Sequence, residues 1–102
     1  MSYAVPVRWT APEAYLQRQY TNKSDVWSYG VLLFEIFSLG QVPYSDIESN
    51  IDVMDRVKQG HRLHQPPHAA HAIYKLMLET WNENPKLRPN FADVVDQFEI
   101  ME

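Results

Sequence analysis

Residues 24–40, SDVWSYGVLLFEIFSLG, constrain this chain more than any other stretch. Val26, Trp27, Val31, Leu32, Leu33, Ile36, Phe37 and Leu39 cover every face at helical spacing, and only Asp25 and Glu35 carry charge. A helix lying on a surface shows one apolar stripe, so a helix apolar all round predicts burial at the centre of a domain. The stretch is too short to cross a bilayer and has a charge near each end. Ser24 suits the N-cap, because its hydroxyl can accept from a free backbone N–H of the first turn. Asp25 suits the positive end of the helix dipole. Gly40 suits the left-handed conformation that ends a helix.

The remaining chain reads as short elements around that helix. Residues 1–13 are expected to be extended, since Pro6 and Pro12 push their predecessors out of the helical region, while Pro12 can open a short helix. The segment from Pro6 to Glu13 is rigid and aromatic, unlike a mobile domain terminus, which predicts a chain that begins inside a larger unit. A polar link from Tyr15 to Lys23 leads to the central helix. A helix over 49–59 follows, with Ser49 or Asn50 as cap, Ile51, Met54 and Val57 on one face, and Gly60 as stop. After a loop broken by Pro66 and Pro67, a helix over 70–81 places Ile73, Leu76, Met77 and Trp81 together. The last helix, 90–102, starts from Asn90 with Asp93 three residues on and turns Phe91, Val94, Val95 and Phe98 inward. No useful run alternates with period two, so the fold class is all-α, short helices packed around one central buried helix.

Composition narrows the functional classes. At 102 residues the chain is one domain or part of one, and 45% hydrophobic residues are enough for a core. A net charge of −4 argues against generic nucleic-acid binding. Without cysteine there is neither a disulfide framework nor a thiolate metal site. No signal peptide or transmembrane run is seen. His61, His64, His68 and His71 are spaced like a metal set, but Pro66 and Pro67 prevent one helix face from presenting them, so they read as solvated loop residues.

Together these segments resemble a known family. Pro6-Val7-Arg8-Trp9-Thr10-Ala11-Pro12-Glu13 looks like the substrate-docking loop and Ala-Pro-Glu motif of protein tyrosine kinases. Lys23 to Gly30 looks like the start of their central C-lobe helix. Val42-Pro43-Tyr44, Gly60-His61-Arg62-Leu63, Leu76-Met77-Leu78 with Trp81, and Pro85 through Arg88-Pro89 continue the pattern in order. Trp9 followed by Thr10 is similar to Src-, Fes- and Eph-type kinases. The family's glycine-rich loop, strand lysine, catalytic Asp and Asn, and Asp-Phe-Gly have no match in these residues. His61-Arg62-Leu63 mimics the start of the catalytic His-Arg-Asp, but Leu63 cannot act as a base, and the segment follows the Ala-Pro-Glu motif instead of preceding it. The resemblance therefore covers the lower part of the C-terminal lobe, from the end of the activation segment through the last helix.

The resemblance implies roles residue by residue. Pro6, Val7, Arg8 and Trp9 would bind substrate, forming the platform beneath a substrate tyrosine. Glu13 and Arg88 would form a buried structural ion pair, for which arginine's planar fork is suited. Asp25 would anchor the catalytic loop, and without that loop keeps only its place on the helix dipole. Tyr3 lies closer to Trp9 than the family's activation-loop phosphotyrosine does and reads as a plain residue. No residue here is expected to be catalytic or to bind a metal.

The expected function is that of a fragment of a protein tyrosine kinase, inactive alone, whose complete parent domain binds ATP and magnesium. The implied partners are protein tyrosine substrates and the remainder of the kinase domain, with no nucleic acid and no membrane segment. The implied location is cytoplasmic, or the cytoplasmic side of the membrane if the parent is a receptor. The alternative is a non-catalytic interaction module or decoy that binds kinase substrates or regulators. Without the neighbouring catalytic loop, apolar surface is expected to be exposed near Val26, Trp27 and Tyr29.

Overall fold

The computed structural model describes residues 6–101, with side chains through Glu99; Tyr3 and the rest of 1–5 lie outside the described residues. A 3₁₀ turn, Val7–Trp9, leads to helix α1, Pro12–Gln17, where the expected link begins instead as a helix opened by Pro12. The central helix α2 spans Asn22–Phe37, and α3 (Asn50–Lys58), α4 (His71–Thr80) and α5 (Phe91–Met101) follow. A second 3₁₀ turn, Pro85–Leu87, precedes α5. No strand occurs among the described residues, so the chain is all-α.

The ends of α2 differ from the expected ones for local reasons. Thr21, not Ser24, is the N-cap, and its hydroxyl accepts from the Lys23 and Ser24 amides. Ser24 closes the reciprocal half of a capping box by accepting from the Thr21 amide at 2.7 Å. At the other end the left-handed residue is Leu39, at φ 60°, with Gly40 following at φ 91°. The Gly40 amide reaches back to Glu35 O at 2.8 Å and the Leu39 amide to Ile36 O at 3.3 Å, the paired bonds of a Schellman close. The box predicted for α5 forms: Asn90 Oδ1 accepts from the Asp93 amide and Asp93 Oδ2 from the Asn90 amide.

Helix α2 is buried along most of its circumference. Val26, Trp27, Val31, Leu33 and Phe34 join Tyr44, Ile47, Val53, Leu63, Met77 and Trp81 in the core. The expected exposure near Val26 and Trp27 is absent, since both are 1% exposed or less, and Tyr29 is half-buried with its ring edge-on to Phe91 at 5.9 Å. Exposure falls instead on Leu32 and Ile36, one turn apart, and on Leu39. Phe91 and Val95, expected inward, are exposed because α5 buries only the line through Val94 and the half-buried Phe98. The radius of gyration is 13.4 Å, near the roughly 13 Å of a compact body of this length.

Helices α2 and α4 approach at Gly30. A Cβ there would run into Thr80 Oγ1 and come within 2.8 Å of Trp81 Nε1, and Thr80 is fully buried with its hydroxyl already donating to Met77 O. Neither neighbour has room to yield. Gly30→Ala is expected to destabilise by about 3 kcal/mol through forced separation of the two helices, as measured by denaturant unfolding.

Candidate functional site

The segment from Pro6 to Thr10 is fixed from three sides. Within it, Pro6 O accepts from the Trp9 amide at 2.9 Å and from the Thr10 hydroxyl at 2.8 Å, which closes the turn on itself. From α2, Ser28 Oγ donates to Trp9 O at 2.7 Å. The Trp9 indole Nε1 donates to Glu35 Oε1 at 2.6 Å. One acid on an otherwise apolar stretch is the signal that could have marked Glu35 for a specific partner, since a half-buried carboxylate seeks a donor. This bond sets the height and tilt of the Trp9 ring against the central helix.

The third side is Arg8. Its guanidinium donates through all five N–H groups: to Asn50 Oδ1 at 2.9 Å, Pro43 O at 3.0 Å, Tyr44 O at 2.7 Å, Ile47 O at 2.7 Å and Glu48 O at 3.1 Å. Arg8, expected among the substrate-binding residues, spends its guanidinium on partners within the chain. Its side chain points into the loop between α2 and α3 and has no donor left for a ligand. Tyr44, at φ 56°, sits in the left-handed region that bulky side chains avoid, and the Arg8 bonds to carbonyls 43 and 44 help hold it there. Of the four residues, Pro6 is exposed and Val7, Arg8 and Trp9 are half-buried.

Glu13 and Arg88 meet as expected. Arg88 Nη1 and Nη2 grip the two carboxylate oxygens at 2.8 and 2.9 Å, with the Arg88 side chain fully buried and Glu13 nearly so. Arg88 also donates to Asn82 O at 2.9 Å and Lys23 O at 3.1 Å, and Lys23 Nζ returns a bond to Arg88 O at 2.6 Å. The Trp27 ring lies within reach of two guanidinium groups, Arg88 at 4.9 Å and Arg62 at 5.0 Å. Motif matching did not point to Lys23, Asn82 or Trp27 as parts of this junction, because backbone carbonyls and ring faces leave no mark in a motif. Asp25 is exposed in the first turn of α2, and its carboxylate makes no hydrogen bond among the described residues. No three His, Asp or Glu side chains among those residues converge as a metal set; His61, His64 and His68 lie in the loop and His71 opens α4.

An Ala-Pro-Glu segment tied by its glutamate to an Arg-Pro turn, both against a buried central helix, defines the lower C-terminal lobe of a protein tyrosine kinase. The family described as "Protein tyrosine and serine/threonine kinase" matches residues 1–98, and the chain belongs to it. It is 47% identical over 93 residues to vascular endothelial growth factor receptor 1 of Mus musculus, covering 91% of this chain and 7% of that receptor. It is 45% identical over 94 residues to the cytoplasmic tyrosine-protein kinase BMX of Mus musculus, covering 92% and 14% respectively. It is 43% identical to platelet-derived growth factor receptor alpha of Xenopus laevis over 101 residues, 96% of this chain and 9% of that receptor. The chain thus spans a small part of the length of these relatives, and among its described residues no helix is long and apolar enough to cross a membrane.

Two predictions follow from the geometry. Glu13→Ala strands the buried Arg88 cation and is expected to cost roughly 3–5 kcal/mol, with a double-mutant cycle against Arg88→Met showing strong coupling. Tyr44 carries a buried hydroxyl without a hydrogen-bond partner among the described residues, and burial pushes its pKa up to about 12, with Arg62 pulling the other way. The unfolded tyrosine loses its proton near the ordinary value of 10 while the folded one keeps it, so this contribution is intact below pH 10 and is lost as pH rises towards 12. Thermal unfolding across that window should fall less steeply for Tyr44→Phe, which at neutral pH should cost under about 1 kcal/mol.

Proposed function

We propose that this chain forms the substrate-docking platform and helical base of a catalytic domain that transfers the ATP γ-phosphoryl group to protein tyrosine. The carrying observation is the clamped turn Pro6–Trp9. Its backbone is closed on itself, its tryptophan is held by Glu35 and Ser28, and Arg8 ties it to the loop before α3. A rigid turn with an exposed proline beside an aromatic ring suits a long phenol side chain, and binding to a preformed surface avoids an ordering cost. Pro6, Val7 and Trp9 make the contact on this reading, and Arg8 shapes it from behind.

Phosphoryl transfer needs a phosphate cradle, magnesium ligands and a group to orient or deprotonate the hydroxyl. No residue of this chain is assigned to those tasks. ATP and magnesium belong to parts of the domain outside these 102 residues. Asp25, free on the first turn of α2, is placed to accept backbone N–H groups of such a part. The relatives include receptors and a cytoplasmic kinase by name, and the proposed location is the cytoplasm or the cytoplasmic face of a membrane.

The 102-residue chain, mixed with ATP, magnesium and a tyrosine peptide, is expected to transfer no phosphate while the peptide shifts the Trp9 indole N–H resonance. Pro6→Ala should weaken that peptide by about fivefold, near 1 kcal/mol. Phosphorylated peptide would overturn the division of labour, and a Trp9 resonance indifferent to millimolar peptide would overturn the platform.

A further inference from the structure

Five of the six tyrosines lie among the described residues, and four of those are held back by their surroundings. Tyr44 is buried. Tyr74 donates its hydroxyl to Leu63 O at 2.7 Å. Tyr29 is half-buried with its ring edge-on to Phe91. Tyr15 belongs to α1, and a helical residue cannot enter a cleft that takes an extended acceptor. Tyr20 differs in each respect. It is 61% exposed, it lies between α1 and α2 in neither helix, and its hydroxyl has no hydrogen-bond partner among the described residues. Exposed non-helical segments of this kind are where modifying enzymes reach a folded chain.

The backbone on either side of Tyr20 is held unequally. Before it, Arg18 closes α1 at φ 56° and the Gln19 amide reaches back to Glu13 O at 3.2 Å. The Tyr20 amide itself makes no backbone hydrogen bond among the described residues, and Thr21 is extended at φ −137° and ψ 176°. After it stands the capping box of α2. The Thr21 amide donates to Ser24 Oγ at 2.7 Å, and Ser24 Oγ donates to Thr21 O at 2.7 Å. The residues that follow Tyr20 can straighten only when this box opens, and helix ends open locally at small cost. The local charge also suits an added anion. Between Tyr15 and Lys23 the chain carries Arg18 and Lys23 and no acid, although its net charge is −4. Arg18 is exposed and makes no ion pair among the described residues. A phosphate dianion on Tyr20 thus stands in a basic segment, at the positive end of α2.

We propose that Tyr20 is a phosphorylation site for a separate protein tyrosine kinase, with the Thr21–Ser24 capping box governing access to it. In that step Tyr20 Oη bonds to the γ-phosphorus of magnesium ATP held by the other enzyme. The bond from the γ-phosphorus to its bridging oxygen breaks, ADP leaves, and the phenol proton passes to a base of that enzyme. The site does not depend on the docking turn being a substrate platform, because here the chain is the acceptor and not part of the transferring enzyme.

The test incubates the 102-residue chain, carrying Tyr3→Phe, with magnesium ATP and each of two soluble tyrosine kinase domains of different peptide preference. Peptide mass spectrometry then locates the phosphate over time. Tyr20 is expected to be modified at least about tenfold faster than Tyr15, Tyr29, Tyr44 or Tyr74. Tyr20→Phe, at an exposed position, should lower total incorporation about tenfold, and Tyr15→Phe should leave it within about twofold. Ser24→Ala weakens the capping box without touching the residues next to Tyr20, and should raise the Tyr20 rate about threefold, with circular dichroism checking that the fold persists. No phosphate on Tyr20 with either kinase, or phosphate spread evenly over the tyrosines, would overturn the site. A Tyr20 rate that stays fixed or falls in folded Ser24→Ala would overturn the control of access by the box.

Discussion

The structure depends on Arg88. Its side chain is buried and joins three parts of the chain: Glu13 in α1, the Lys23 carbonyl and Trp27 ring of α2, and the Asn82 carbonyl just after α4. A buried guanidinium is costly unless nearly all its N–H groups are satisfied, and here four of the five donate. That requirement makes the junction all-or-none. If Glu13, the Asn82 turn or the first turn of α2 moves, a cation is stranded in the core. The pair therefore specifies how the two ends of the chain meet more than it adds net stability.

From that junction the turn Val7–Trp9 inherits its position. Glu13 stands at the start of α1, only a few residues after Trp9, so fixing Glu13 against α2 fixes where the turn can lie. Ser28 and Glu35, two turns apart on α2, then hold the Trp9 carbonyl and indole. Arg8 ties the same turn to the loop that precedes α3. Tyr44 in that loop also lines a groove with Phe34, His61, Arg62 and His64.

Much of this was legible in the sequence. Helices α3, α4 and α5 lie within a residue or so of their expected ends: Ser49 and Gly60 bracket α3, Asn90 caps α5, and the apolar spacing alone marked α4. The Glu13–Arg88 pair was legible only through the family's motifs, as no local rule joins residues that far apart. The start of α2 was misread because Thr21 and Ser24 can both cap, and the reciprocal bonds between them choose Thr21. The partners of Arg8 were not legible, because a lone arginine in a motif does not show which way its fork points.

The sequence by itself determined that a helix apolar all round had to sit at the centre, that short amphipathic helices had to cover it, and that the chain's motifs are those of a tyrosine kinase C-terminal lobe. These follow from local periodicity, capping and the order of the motifs. Only the tertiary structure decided which side of α2 stays uncovered, that Arg8 and Glu35 hold the turn Val7–Trp9, and that His61, His64 and Arg62 share a groove with Phe34. Those outcomes depend on carbonyls, ring faces and helix separations set by packing, which leave no periodicity to read.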